Sequence, residues 1–232
     1  MPFPTTEFFD LAHAPGPAAE LLSHPNTPAW EALNGIADAL ESSLERHTAQ
    51  AQISSEAHLG KDVYLAPGSI VEAGATIKGP AWIGAGSTVR AGAYIRENVI
   101  VGANATLGNS CEFKNCIIFD NGEIPHFNYV GDSILGYKAH LGAGVIISNI
   151  RLDRKNVQIT DPKNPSAKID TGRRKIGAII GDRTEIGCNS VLSPGSLIGP
   201  DCILYPGTHW NGVLEKNHIV KLRQTHEIIA RR

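Results

Sequence analysis

Apolar residues recur at every sixth position through most of the chain. Stepping by six from Leu59 gives Leu65, Val71, Ile77, Ile83, Val89, Ile95, Val101, Leu107, Phe113 and Phe119 with no polar interruption. Two positions before each stands a mostly small or β-branched side chain, as in Val63, Ser69, Ala75, Ala81, Ser87, Ala93, Val99, Ala105 and Cys111. Each hexad therefore reads as one short strand and one corner, with both sets of side chains pointing inward. Glycine often follows the large apolar residue, as in Leu59-Gly60, Ile83-Gly84, Val101-Gly102 and Leu107-Gly108, and suits a bend with no room for a side chain. The period returns at Leu135, Leu141 and Ile147, and again at Ile180, Ile186, Leu192, Ile198, Leu204 and Trp210. Two interruptions, 120–130 and 148–178, read as loops that leave the repeat, and such loops often carry function. The repeat predicts a parallel solenoid over 53–213, its strands stacked about 4.8 Å apart around an aliphatic column.

The flanks follow other rules. In the arm, 1–52, Thr27 and Pro28 suit the cap and first position of a helix, and Trp30, Leu33, Ala37, Leu40 and Leu44 follow at helical spacing. An open first coil exposes strand edges, so the arm is expected to close that end of the solenoid. Val220, Leu222, Ile228 and Ile229 predict a helix over 214–232 that covers the last coil.

Composition narrows the class. With 42% hydrophobic and 19% charged residues the chain is globular, and no apolar run approaches the roughly 20 residues of a membrane span. A net charge of −2 argues against nucleic acid as the main partner. Charge is uneven, however: 1–50 carries seven acidic residues against Arg46, and 151–175 carries eight basic residues against Asp153, Asp161 and Asp170. Cys111, Cys116, Cys188 and Cys202 form no CxxC pair, and the N-terminus has no basic segment followed by a long apolar one, so a cytoplasmic protein is expected.

The hexad pattern resembles the hexapeptide-repeat acyltransferases, and the resemblance implies a left-handed parallel β-helix, although parallel crossovers are generally right-handed. The stretch Pro125-His126-Phe127-Asn128-Tyr129-Val130-Gly131-Asp132, continuing to Gly142-Ala143-Gly144 and Asn149, is similar to the acetyltransferase domain of bifunctional glucosamine-1-phosphate acetyltransferase/N-acetylglucosamine-1-phosphate uridyltransferases. It also resembles archaeal sugar-1-phosphate nucleotidylyltransferases with acetyltransferase activity, which share a run like Gly172-Arg173-Arg174-Lys175-Ile176-Gly177-Ala178. By this resemblance His126 is the catalytic base, Arg96 and Lys114 bind the sugar phosphate, and Tyr129, His140, Asn149 and Lys155 contact the substrate. His140 departs from the asparagine usual in the bacterial family, and the readings in order are a substrate contact, a residue that orients His126, and a coil residue. Gly142, Ala143, Cys188 and Arg223 fall where acetyl-CoA binds.

These types suit the chemistry. An amino group attacks a thioester as the free amine, and a histidine titrating near neutrality accepts its proton. A guanidinium fork and an ammonium hold a phosphate without reacting. The expected activity is acetyl-CoA-dependent N-acetylation of glucosamine 1-phosphate or galactosamine 1-phosphate in nucleotide-sugar biosynthesis for the cell envelope, by a homotrimer. Residues 1–52 are too short for a nucleotidyltransferase domain, so nucleotidyl transfer is expected to fall to a separate protein. The alternative is a non-catalytic trimer that binds sugar phosphate or scaffolds that partner. A γ-class carbonic anhydrase on the same fold needs three histidines on zinc, and no close histidine pair has ligand spacing, so no metal is expected.

Overall fold

The computed structural model describes residues 3–43, 50–162, 164, 166 and 168–231; Leu44, Arg46 and His47 of the sequence argument lie outside them. The repeat winds into a parallel β-solenoid with three flat faces. The first face is a nine-stranded ladder running from Gln52–Ile53 to Ile219–Val220. The second runs from His58–Leu59 to His209–Trp210, and the third from Val63–Leu65 to Val213–Leu214. The second and third join where Glu112–Ile118 and Tyr129–Leu135 pass through the corner between them.

The inward column is as expected through Phe113, with Leu59 half-buried and, from Val63 on, the large apolar residues and the smaller residues before them buried. The inward serines are satisfied locally: Ser87 Oγ donates to the Gly102 carbonyl at 2.7 Å and accepts from the Ala105 amide at 2.9 Å. Beyond Phe113 the register slips. Val89 pairs with Leu107, 18 residues on, but Leu107 pairs with Ile124 and Phe113 with Val130, each 17 on. The lost residue comes from the third face, where Ile118, not Phe119, enters the column, and Phe119 turns outward into a second buried cluster. The stretch 120–130 is accordingly no inserted loop. Glu123–His126 is a first-face strand in register with Thr106–Asn109, because a coil sheds a residue at a corner more readily than it breaks its ladder.

The insertion at 148–178 is real, yet it does not leave the solenoid unpartnered. Gln158–Thr160 and Lys168–Asp170 form an antiparallel hairpin, and Val157, Ile159 and Ile176 bury themselves in that second cluster. The chain rejoins the ladder when Leu135 pairs with Ile180.

The arm is also corrected, in place and in shape. It packs along the third face, and among the described residues Gln52–Ile53 at the start of the first coil is exposed. The cause lies in the third-face strands, which are apolar on both sides: Ile100, Ile117, Ile134, Ile179 and Leu197 point outward and would form a large exposed patch. Phe8, Phe9, Leu22, Trp30, Leu33, Ile36 and Leu40 cover them, and Phe9 stacks on Phe119 with ring centroids 4.8 Å apart. Asp182 fastens the arm by accepting from the Asp10 amide at 2.7 Å, and His13 stacks on Tyr137 at 3.7 Å. The expected helix is a 3-10 segment, Ala29–Asn34, followed after Gly35 by an α-helix, Ile36–Ser43. That break shifts the phase by one residue, so Ile36 is buried and Ala37 exposed.

No C-terminal helix forms. Val213–Leu214 and Ile219–Val220 add a last, 16-residue coil by pairing with Leu197–Ile198 and Ile203–Leu204, and 221–231 continues without regular structure. A waiting strand edge supplies backbone partners, whereas a short isolated helix is marginal, and Ile228 and Ile229 stay 96% and 76% exposed. No helix among the described residues is long and apolar enough to cross a membrane.

Candidate active site

Arg96, Lys114, Tyr129 and Asn149 come together at the corner between the second and third faces. Ile95 pairs with Phe113 and Lys114 with Gly131, so Arg96, Lys114 and Gly131 occupy one column in successive coils. Arg96 Nη1 donates to Glu112 Oε1 at 2.9 Å and Nη2 reaches Glu97 at 3.5 Å; Lys114 Nζ lies 3.7 Å from Glu97. The hydrogen bond to Glu112 holds the Arg96 guanidinium above its ordinary pKa, against a smaller opposing effect of burial. Such half-exposed pairs contribute little to stability, which leaves both cations free to exchange a carboxylate for a ligand anion.

Above them Tyr129 lies across Gly131, where a Cβ would stand only 2.6 Å from the phenol oxygen. Asn149, 9% exposed, donates through Nδ2 to that oxygen at 3.2 Å and to Asp132 Oδ2 at 2.6 Å. Asp132 Oδ1 accepts from Asn115 Nδ2 at 2.9 Å. Burial first, then the charges of Asp132 and Glu112, push the Tyr129 phenol up, so it stays a protonated donor at neutral pH.

His126 sits at the opposite edge of the second face, at the end of Glu123–His126, with its side chain exposed. Its backbone is well held: its amide donates to Asn128 Oδ1 at 3.2 Å and its carbonyl accepts from the Gly144 amide at 3.1 Å. Asn128, 2% exposed, also donates to the Gly142 carbonyl at 2.7 Å, tying the histidine corner to the Gly142-Ala143-Gly144 turn of the next coil. Phe127 between them has φ 55° and is 60% exposed, in a column of left-handed corner positions filled elsewhere by Gly92, Ser110, Gly144, Asn189 and Gly207. A bulky side chain there is costly, about 1–2 kcal/mol, and it stays exposed among the described residues.

Gly142 faces Cys188, whose Sγ is 3.0 Å from the position of a Cβ on residue 142. Both line a groove of about 280 Å³, floored by Ile186, Ile203 and Leu204, that also takes in His140. His140 Nδ1 is 2.7 Å from Glu185 Oε2. The structure thus puts His140 beside the Gly142 and Cys188 set, while Arg96 and Lys114 occupy the far corner.

Two expected residues are not drawn in. Lys155 is exposed on the insertion, in a pocket with Arg151, Asp153, Asn156, Gln158 and Asp170, and Arg223 is exposed in the irregular tail. A cavity of about 630 Å³ lies apart from all of these, between the arm, the insertion and the last coil, lined by Phe3, Phe8, Val213 and Lys216 among others. Sequence reasoning missed Asn128, Asp132, Asn115, Glu97 and Glu112. Asn128 and Asp132 stand in the quoted run 125–132, and the 17-residue step from Asn115 to Asp132 matches the coil length there.

The chain is a parallel solenoid of about nine coils with a histidine-bearing corner and a cationic corner flanking one exposed face, and part of it is similar in sequence to GlmU-type proteins. Residues 77–163 match the GMPPB C-terminal domain. The bifunctional sugar-1-phosphate nucleotidylyltransferase/acetyltransferase of Sulfurisphaera tokodaii is 40% identical over 100 residues, covering 43% of this chain and 24% of that protein. The bifunctional protein GlmU of Methanococcus maripaludis strain C5 is 42% identical over 103 residues, again 24% of its length and 42% of this chain. The matches span about a quarter of these relatives. Among solved structures, UDP-N-acetylglucosamine acyltransferase from Campylobacter jejuni aligns with 75% of this chain and 72% of its own at 17% identity and a TM-score of 0.45.

Proposed function

We propose that the chain is an acetyl-CoA-dependent N-acetyltransferase acting on an amino-sugar 1-phosphate, glucosamine 1-phosphate first and galactosamine 1-phosphate second. The observation that carries this reading is the corner at which Arg96 and Lys114, held only by half-exposed carboxylates, stack beneath the Tyr129 and Asn149 pair. The two cations take the phosphate in exchange for Glu112 and Glu97, and the phenol and amide take sugar hydroxyls.

The reaction needs few further groups. The amine nitrogen attacks the thioester carbonyl carbon, the carbon–sulfur bond breaks, and the coenzyme leaves as its thiol. His126 accepts the proton released by the amine and passes it to the departing sulfur. Ala143 offers its main-chain N–H to the acyl oxygen, the amides of Gly142 and Gly144 being taken by the Ile186 and His126 carbonyls, and the groove of Gly142, Cys188 and His140 takes the acyl-donor arm. Lys155 and Arg223 reach a ligand only if they meet one across a subunit boundary, which fits a homotrimer with clefts between neighbouring solenoids. The exposed Phe127 and Ile146 on the second face are natural contacts for such a neighbour. The homotrimer rests on the resemblance and on these open residues, since the insertion packs on its own chain.

The test is release of free thiol from acetyl-CoA, followed with a panel of amino-sugar 1-phosphates. The reading requires turnover with at least one of them and none with the corresponding N-acetylated sugar. Binding of sugar phosphate without thiol release points instead to the scaffold role beside a separate nucleotidyltransferase.

A further inference from the structure

Asp132 is 4% exposed, and its two carboxylate oxygens are taken by two neutral amides, from Asn115 at 2.9 Å and Asn149 at 2.6 Å. Its backbone is pinned as well, at φ 49° with its carbonyl accepting from the Gly177 amide at 2.7 Å. Burying a carboxylate is expensive, and two amides would satisfy each other or a neutral group at lower cost. What a carboxylate does that a neutral group does not is accept without donating. Facing Asp132, the Asn149 amide has one permitted orientation, with Nδ2 inward. The same Nδ2 meets the Tyr129 oxygen at 3.2 Å. The phenol oxygen therefore acts as acceptor toward Asn149, and its own proton is free to point outward, beside Arg96 and Lys114.

We infer that Asp132 is a positioning residue that sets the hydrogen-bond polarity of the sugar-phosphate site, making Tyr129 a donor and Asn149 Oδ1 an acceptor toward the bound ligand. The inference rests on the reading of this corner as the amino-sugar phosphate site, and it adds what that site selects. A ligand must present an acceptor oxygen to Tyr129, from the phosphate or an adjoining hydroxyl, and a donor, a hydroxyl or the amino group, to Asn149.

The experiment is calorimetric binding of glucosamine 1-phosphate to the full chain, with thermal unfolding of each variant alongside. Asp132→Asn keeps the shape but frees the amides to turn over. It is expected to weaken binding roughly tenfold, the effect of one misdirected hydrogen bond. Tyr129→Phe should weaken it comparably. The exchange Asp132→Asn with Asn149→Asp separates polarity from packing. In it the new amide at 132 donates to the new carboxylate at 149, so the melting temperature should recover. The carboxylate, however, now draws the Tyr129 proton inward, and binding should stay weak. Recovery of binding in the exchanged variant, or wild-type binding by Asp132→Asn, overturns the inference, because Asp132 is then merely structural. A wild type that does not bind glucosamine 1-phosphate overturns it together with the reading of the site. The expected pattern of affinities in a protein that releases no thiol supports the polarity assignment and removes only the acetyl-transfer reading.

Discussion

The second and third faces share one inner column and differ on their outer surfaces. Ile100, Ile117, Ile134, Ile179 and Leu197 stand outward on the third face and are fully buried beneath the arm and the insertion. The equivalent positions of the second face, Tyr94, Glu112, Tyr129, Ile146, Val191 and His209, are half-buried or exposed. The inner column is generic and supports either surface. On the proposed reading, function lies where the outer row is polar and open, and stability where it is apolar and covered, so substitutions on the two faces should separate cleanly in their effects.

The largest stability effect belongs to the third face. Phe119→Ala removes a fully buried ring stacked on Phe9 and is expected to cost roughly 3–5 kcal/mol in denaturant unfolding. The surviving folded protein should show an unchanged Michaelis constant for sugar phosphate; a raised constant would break the separation of the faces. On the second face the pattern reverses. Arg96→Ala and Lys114→Ala should each weaken sugar-phosphate binding by roughly 1.5–3 kcal/mol, with melting temperature and acetyl-CoA binding little altered. Unchanged sugar-phosphate affinity in both variants would remove the phosphate from this corner.

Asp182→Ala probes the seam between solenoid and arm. It leaves the Asp10 and Tyr137 amides without their partner, a loss of about 1–3 kcal/mol, and should speed proteolysis within 3–43 without changing turnover. Equal protease resistance would mean that apolar packing alone holds the arm. The smallest effect is spectroscopic. Tyr129 is held above the ordinary phenol value of about 10 by burial and by Asp132, so its titration, isolated by difference against Tyr129→Phe, should begin later than that of an exposed tyrosine. Asp132→Asn should move it down. Because the folded value is the higher one, this group's contribution to stability is lost as pH rises through that range.

The inner column was legible because six-residue spacing counts inward positions directly, and it held from Leu59 to Phe113. It failed at Phe119, since a period carries no memory of a residue lost at a corner. The covered third face was also written in the sequence, in the apolar runs Val99-Ile100-Val101, Cys116-Ile117-Ile118 and Ala178-Ile179-Ile180, in which the middle residue has no place in the column. Those runs specify what the arm covers, and a search for inward residues alone passes over them. The residues of the proposed site were named because the run from His126 resembles a known stretch. Asp132 and Asn128 were not, since their work is done through Asn149 and Gly142, one coil further on. Spacing in the sequence gives no account of contacts between successive coils once the coil length has changed.

The claim that the open second face is the catalytic surface meets its most direct test at His126. The measurement is the pH–rate profile of thiol release from acetyl-CoA with glucosamine 1-phosphate, for the wild type and His126→Ala. The side chain is exposed, so the variant should keep its melting temperature and both ligand affinities. Turnover should fall about 10²–10⁴-fold, and the acid limb of the profile should disappear with the proton acceptor. A variant that turns over at near the wild-type rate with its acid limb intact would contradict the account, and His140, in the groove beside Gly142 and Cys188, would then be the histidine to examine.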